Sequence, residues 1–142
     1  GAPGQIGFTI IDKLSDLNAE VIKNAPLLNT RFPEGEWGGT NEPTVLPDGR
    51  VFVLGHRAYY DKNKNRHYYP WAFIHDPKTG EITDLGILAE RSDFPKGPAK
   101  RRDLIDILFS AGIKFLENGR MLLKVGMSDV EVGEMERDLP KY

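Results

Sequence analysis

Between residues 43 and 90, apolar and polar residues follow a strand rhythm. PTVLP, RVFVLGHRAYY, RHYYPWAFIHDP and EITDLGILAE are rich in β-branched and aromatic residues and are bounded by turn formers. The turns fall at Pro47-Asp48-Gly49, Asp61 to Asn65 and Asp76 to Gly80. This pattern predicts four antiparallel strands joined by tight hairpins. Upstream, IGFTII (Ile6 to Ile11) predicts a short strand. Ser15 or Asp16 is placed to cap a helix of about two turns over Ala19 to Ala25, which Pro26 stops. Downstream of a polar, proline-rich loop (Arg91 to Asp103), IDILFSAGIKFLE, RMLLKVGMSDV and EVGEMER predict a second set of strands.

The two sets echo each other. VLPDGRVFVL, beginning at Val45, lines up with FLENGRMLLK, beginning at Phe115: an apolar start, a two-residue turn, Gly-Arg, then apolar residues. Asp-Gly and Asn-Gly are common hairpin turns, so two unrelated hairpins give the same pattern. A repeated antiparallel unit of about four strands is also how a β-propeller blade is built. The expected fold class is therefore all-β, a partial propeller of about two to three four-stranded blades with one short helix near the N-terminus. The chain divides, within a single domain, into a lead-in with the helix (4–34), a blade (35–90), a loop (91–103) and a second blade (104–137). An open blade stack leaves apolar surface wet, so missing blades or a second copy are expected partners. A self-contained β-sandwich is the alternative.

The start of the first blade is chemically odd. GGTNEP introduces a strand with poor strand formers and a glutamate. By the echo, Thr40-Asn41-Glu42 correspond to Ser110-Ala111-Gly112. In a propeller this strand is innermost and lines the axial channel. Glycines there permit close backbone approach, and Asn41 and Glu42 become candidate pocket residues. A solvated loop glutamate is the plainer reading.

Composition narrows the function. The chain has 142 residues, 39% hydrophobic and 28% charged, with mean hydropathy −0.43, which fits a folded domain. A net charge of −2 gives no reason to expect nucleic acid. No apolar run approaches a membrane span, so no membrane partner is expected. Cysteine is absent, which removes disulfides and thiolate chemistry and fits a reducing, cytoplasmic location. The start Gly1-Ala2-Pro3-Gly4 lacks Met and any signal pattern, as a processed end or a cut within a longer chain would.

Two further clusters carry candidate chemistry. LGHRAYYDKNKNRHYYPWAF holds four of the five tyrosines, with His56, Tyr59, Arg66, His67 and Tyr68 as candidate binding residues. Aromatic rings with polar edges suit sugar faces, although such residues also pair as packing across hairpins. The two histidines lack the ligand spacing of a zinc site, so no metal is expected. RSDFPKGPAKRRD gathers Lys96, Arg102 and neighbouring cations around Asp93; they can hold a phosphate, or form a solvated basic loop. No phosphate loop, nucleophile elbow or dinucleotide fingerprint is present, and no cofactor is expected.

GEWGGTNEPTVLPDGRVFVLGH, RHYYPWAFIHDPKTGE and RSDFPKGPAKRRDLIDILFSAGI together resemble a family of bacterial and protozoan proteins of unassigned function. That family belongs to the five-bladed propeller clan of β-fructosidases, arabinanases and β-mannoside phosphorylases. The resemblance runs from about Gly4 to Gly133. Its members are longer, so the chain resembles their C-terminal portion. It implies a sugar pocket on a propeller axis and a glycoside hydrolase or phosphorylase activity, with carbohydrate and phosphate as partners. The phosphorylase branch carries a Gly, a short polar residue, then Glu-Asp-Pro; GTNEP is similar with Asn41-Glu42 in place of Glu-Asp. The resemblance thus implies Glu42 as a catalytic carboxylate, with Asp93 as a second, and the departure leaves their roles open. Alternatives are a non-catalytic glycan-binding propeller and a protein-interaction scaffold. The isolated chain is expected to be inactive if earlier blades supply the other catalytic groups.

Overall fold

A computed structural model describes residues 4–142; the Gly1–Pro3 start, inspected above for a targeting signal, lies outside the described residues. The chain is all-β with little helix. Strands β1 (Glu36–Val45), β2 (Val51–Tyr60), β3 (Arg66–His75) and β4 (Ile82–Ile87) form one antiparallel sheet in sequence order. Strands β5 (Leu108–Phe115), β6 (Arg120–Met127) and β7 (Glu131–Asp138) form a second. Three strands stand here where four were expected. No described helix is long and apolar enough to cross a membrane.

The echo is structural. Thr40 pairs with Gly55 and Ser110 with Val125; Glu42 pairs with Leu54 and Gly112 with Lys124. Each correspondence is shifted by 70 positions, and each pair of strands changes register at the same place. The extra residue is Asn41 in β1 and Ala111 in β5. Both hairpins close the same way, with Leu46 N–H donating to Arg50 O and Leu116 N–H to Arg120 O, each at 2.8 Å. The glycine before each arginine has positive φ (87° at Gly49, 72° at Gly119), which only glycine adopts cheaply.

Several sequence expectations need correction. β1 begins at Glu36, not near Pro43, so GGTNEP is strand; Pro43 is tolerated because β1 is an edge strand with no ladder on its far side. Ile6 to Ile11 is not a strand. Only Gly7 bridges Leu27, with Phe8 N–H donating to Pro26 O and Leu28 N–H to Ile6 O. The helix α1 spans only Ala19–Lys23, and its cap is Asn18, whose side chain accepts from Val21 N–H. Leu14–Asp16 forms a separate 3₁₀ turn. The second unit begins at Leu108; residues from Arg102 to Leu104 form another such turn.

Alternation along β2 and β3 makes two cores. Phe52, Leu54, Ala72 and Ile74 face the second sheet and pack against Leu108, Met121, Leu123 and Val125. Val51, Val53, Trp71 and Phe73 face the other way, toward Ile6, Phe8, Leu28 and Phe32 of the lead-in. The lead-in is thus held by burial rather than by a ladder. Phe52 is fully buried, edge-on to Phe115 with centroids 5.1 Å apart. Phe52→Ala should lower the unfolding free energy by about 3–5 kcal/mol, measured by urea denaturation.

The β2–β3 loop is built on Asp61. Its carboxylate accepts from Asn63 N–H, Asn65 N–H and the Asn65 amide. Chiefly through the Asn65 side chain, these bonds hold its pKa down at about 2, against an ordinary 3.8. A depressed pKa contributes stability above the unfolded value, which is lost as pH falls through the folded one. Asp61→Ala should therefore melt below the wild type at pH 7, with the gap closing between about pH 4 and about pH 2 in thermal melts.

Candidate functional site

The paired bulges bring β1 and β5 together. Ile113 N–H of β5 donates to Glu42 Oε2 at 3.2 Å, and Ser110 Oγ–H of β5 donates to Gly55 O of β2 at 2.6 Å. Glu42 is half-buried. A Cβ on Gly112 would sit 3.4 Å from its Oε2, an ordinary contact, so the carboxylate lies directly over this position. Backbone crowding explains the other glycines here. A Cβ on Gly38 would lie 2.4 Å from His56 O, and one on Gly55 2.4 Å from Gly39 O.

Beside the bulge, His56 Nδ1–H donates to Asn41 Oδ1 at 2.9 Å. The imidazole stacks on Tyr68 (centroids 5.6 Å, 22° between planes) and lies 5.3 Å from Phe109 of β5. Burial pushes its pKa below the ordinary value, which favours the neutral ring. Tyr68 meets Trp37 edge-on, and Trp37 packs on Tyr60. Tyr68 and Phe109, with Arg66 and Asp129, line a recess of about 290 Å³ between the sheets. Arg66 lies over the Tyr60 ring at 5.7 Å and 3.9 Å from Asp103.

Alternation sends Tyr59 and His67 to the opposite face, so the aromatic cluster of the sequence is two clusters. Tyr59 and His67 are parallel with centroids 4.5 Å apart. His67 Nδ1–H donates to Asp106 Oδ2 at 2.5 Å, and Tyr69 O–H donates to the same oxygen in a short hydrogen bond. Burial first, then Asp106, pushes the Tyr69 phenol far above its ordinary pKa, so it stays protonated. His67 Nε2 is buried without a hydrogen bond, with Asp61 Oδ2 at 3.4 Å. Nearby, Arg57 pairs with Glu36 at 2.9 Å, and Trp71 Nε1–H donates to Asp84 at 2.7 Å.

Asp106 was not singled out in the sequence, and Tyr69 stood in the aromatic cluster but not among the candidate binding residues. β4 ends opposite Trp71, and beyond it the segment at 106–107 covers the edge of β3 through a Tyr68–Ile107 bridge. That crossover, invisible to local pattern, puts Asp106 beside residues 37 and 39 positions away.

The loop residues stand apart. Asp93 is exposed, and its Oδ2 accepts from Glu90 N–H at 2.8 Å, closing a turn. Among the described residues no hydrogen bond or ion pair joins it to Glu42. Lys96 borders a second recess, of about 410 Å³, with Arg91 and Asp106. Lys96 and Arg102 are exposed and form no ion pair among the described residues, while Lys100 and Arg101 are paired with Asp129 and Asp103. Arg91 is buried and structural, donating to Ser128 Oγ and Pro95 O. No group of three or more potential metal ligands occurs among the described residues.

The sequence matches the family model described as "Protein of unknown function (DUF1861)" over residues 1–141. The chain belongs to this family. No curated protein matches it. Among solved structures, this DUF1861 chain is similar to MPT-4, a mannose phosphorylase from Leishmania mexicana in complex with phosphate ion. The match has 34% identity and a TM-score of 0.86, over 96% of this chain and 44% of that one. It is similar to MPT-1, a GDP-Man-dependent mannosyltransferase of the same organism, at 35% identity and TM-score 0.85, over 94% and 44%. A hypothetical protein from Leishmania major matches at 33% identity and TM-score 0.84, over 96% and 44%. The DUF1861 chain thus spans less than half the length of these structures.

Gly55→Ala should destabilise the protein by roughly 1–3 kcal/mol, since a methyl group there drives into the Gly39 carbonyl. Urea unfolding measures this directly.

Proposed function

We propose that this protein is carbohydrate-active and acts on mannose-containing substrates together with phosphate, within the propeller clan of glycosidases and phosphorylases. The two sheets are then neighbouring blades of a five-bladed propeller, with β1 and β5 innermost. The carrying observation is the polar group at the paired bulges, where the Asn41–His56 pair stands against the aromatic rings of Tyr68 and Phe109 and Glu42 follows Asn41 along β1. Aromatic faces flanked by a few fixed polar groups suit a sugar ring. The likeness to a mannose phosphorylase supports the reading.

In phosphorolysis, inorganic phosphate attacks the anomeric carbon as the glycosidic C–O bond breaks. Mannose 1-phosphate forms, and the leaving alcohol takes a proton. Phosphate replaces one of the two carboxylates that hydrolysis requires. Glu42 assists the proton transfer. Its Oε2 is steadied by Ile113 N–H, and among the described residues Oε1 takes no hydrogen bond. Asp93 remains the proposed second carboxylate, carried by the loop that bears Lys96 and Arg102. Those two unpaired cations and Arg66 attract phosphate, while Tyr59 and His67 support the site from the opposite face of β2 and β3.

Phosphorolysis of mannosides should fall about 10²-fold or more in Glu42→Gln, followed as mannose 1-phosphate formed. Turnover equal to wild type would remove Glu42 from the chemistry. Binding without turnover in the wild type would support a glycan-binding role instead. The mannosyltransferase neighbour supports a second reading, transfer from an activated mannose. Turnover with GDP-mannose and none with phosphate would favour it.

A further inference from the structure

We infer that His56 reads one hydroxyl of the bound sugar: Asn41 fixes the imidazole as the Nδ1–H tautomer, leaving Nε2 to accept a hydrogen bond from that hydroxyl. This rests on the mannose-site reading above and deepens it.

With Asn41 Oδ1 facing the ring at 2.9 Å, Nδ1 must carry the proton, so the lone pair resides on Nε2. Among the described residues Nε2 takes no hydrogen bond, and it is not one of the buried unpaired nitrogens, whereas the unpaired Nε2 of His67 is buried. The ring cannot swing away. Tyr68 stacks on it and Phe109 flanks it, and the bare Gly39, where a Cβ would stand 3.2 Å from Cε1, leaves it room in this position. Asn41 owes its position to the bulge, which supplies one residue beyond the ladder's need. The bulged residue and the glycine thus seat and aim one acceptor. Asn41 is a positioning residue, and His56 is the group that touches the sugar. The counterpart in β5, Ala111, has no side chain able to do this. A site built to pair with a substrate hydroxyl rejects analogues lacking it.

The test uses the intact protein, ¹⁵N-labelled histidine and calorimetry with mannose and each monodeoxy mannose. The His56 spectrum should show Nδ1 protonated and Nε2 bare. In Asn41→Leu the Nε2–H form should grow, a change that lost packing alone does not produce. His56→Asn keeps a donor near Nδ1 and removes the acceptor; it should weaken mannose about five- to tenfold. His56→Gln, whose amide oxygen reaches the Nε2 position, should recover part of that loss. One monodeoxy mannose should bind the wild type more weakly by a similar factor and lose nothing further in His56→Asn. An Nε2–H tautomer in the wild type overturns the inference whatever the sugar does, even if the variants fail to fold. Unchanged mannose affinity in a folded His56→Asn overturns it and leaves the mannose site standing. No mannose binding by the wild type overturns both.

Discussion

Two hydrogen bonds across the gap between the sheets organise this molecule. Backbone groups on an edge strand or opposite a bulge fall outside the regular ladder, and burying them unpaired is costly. Here the second sheet lends Ser110 Oγ to the Gly55 carbonyl, and the first lends the Glu42 carboxylate to the Ile113 amide. Both contacts arise at register shifts in β1 and β5 that fall 70 positions apart. The large apolar core between the sheets gives the attraction. The bulges give it alignment, because only one relative position of the two sheets makes both bonds.

The same geometry sorts charge and aromaticity. Residues of even number on β2 and β3 face the second sheet, and odd ones face the lead-in. His56, Tyr68 and Arg66 therefore share one environment, while Arg57, Tyr59, His67 and Tyr69 share another. The first environment has a free imidazole nitrogen and an adjoining recess. The second is densely paired within the protein, through Asp106, Glu36, Asp84 and Asp61. A polar group whose hydrogen bonds are used internally fixes structure; one held in place but unused is available to a ligand.

The hairpins were legible in the sequence because turn chemistry and alternation are local. Pro47-Asp48-Gly49 and Asn118-Gly119 mark their turns without ambiguity, and the repeat they announce is real in register. β1 was harder. Its first half looks like a loop because glycine at 38 and asparagine at 41 are poor strand formers, yet close backbone approach requires the glycine and the bulge accommodates the asparagine. Asn41 and Glu42 were marked by being out of place, and His56 by its polar edge. Their pairing across 15 positions needed coordinates. Asp106 gave no signal, since its partners are set by a crossover.

Because each leading strand carries one residue more than its partner, substitution and deletion are unequal events there. Replacing Asn41 changes one side chain. Deleting it would remove the bulge and leave Thr40 and Glu42 consecutive in a regular ladder opposite Gly55 and Leu54, so residues 36 to 40 keep their faces while the hydrogen bond to His56 is lost. Descendants of this sequence are free to explore new chemistry at 41 and 111 by point mutation, while the ladder on either side keeps its partners. The bulge is in that sense a protected slot in which specificity can drift without endangering the fold.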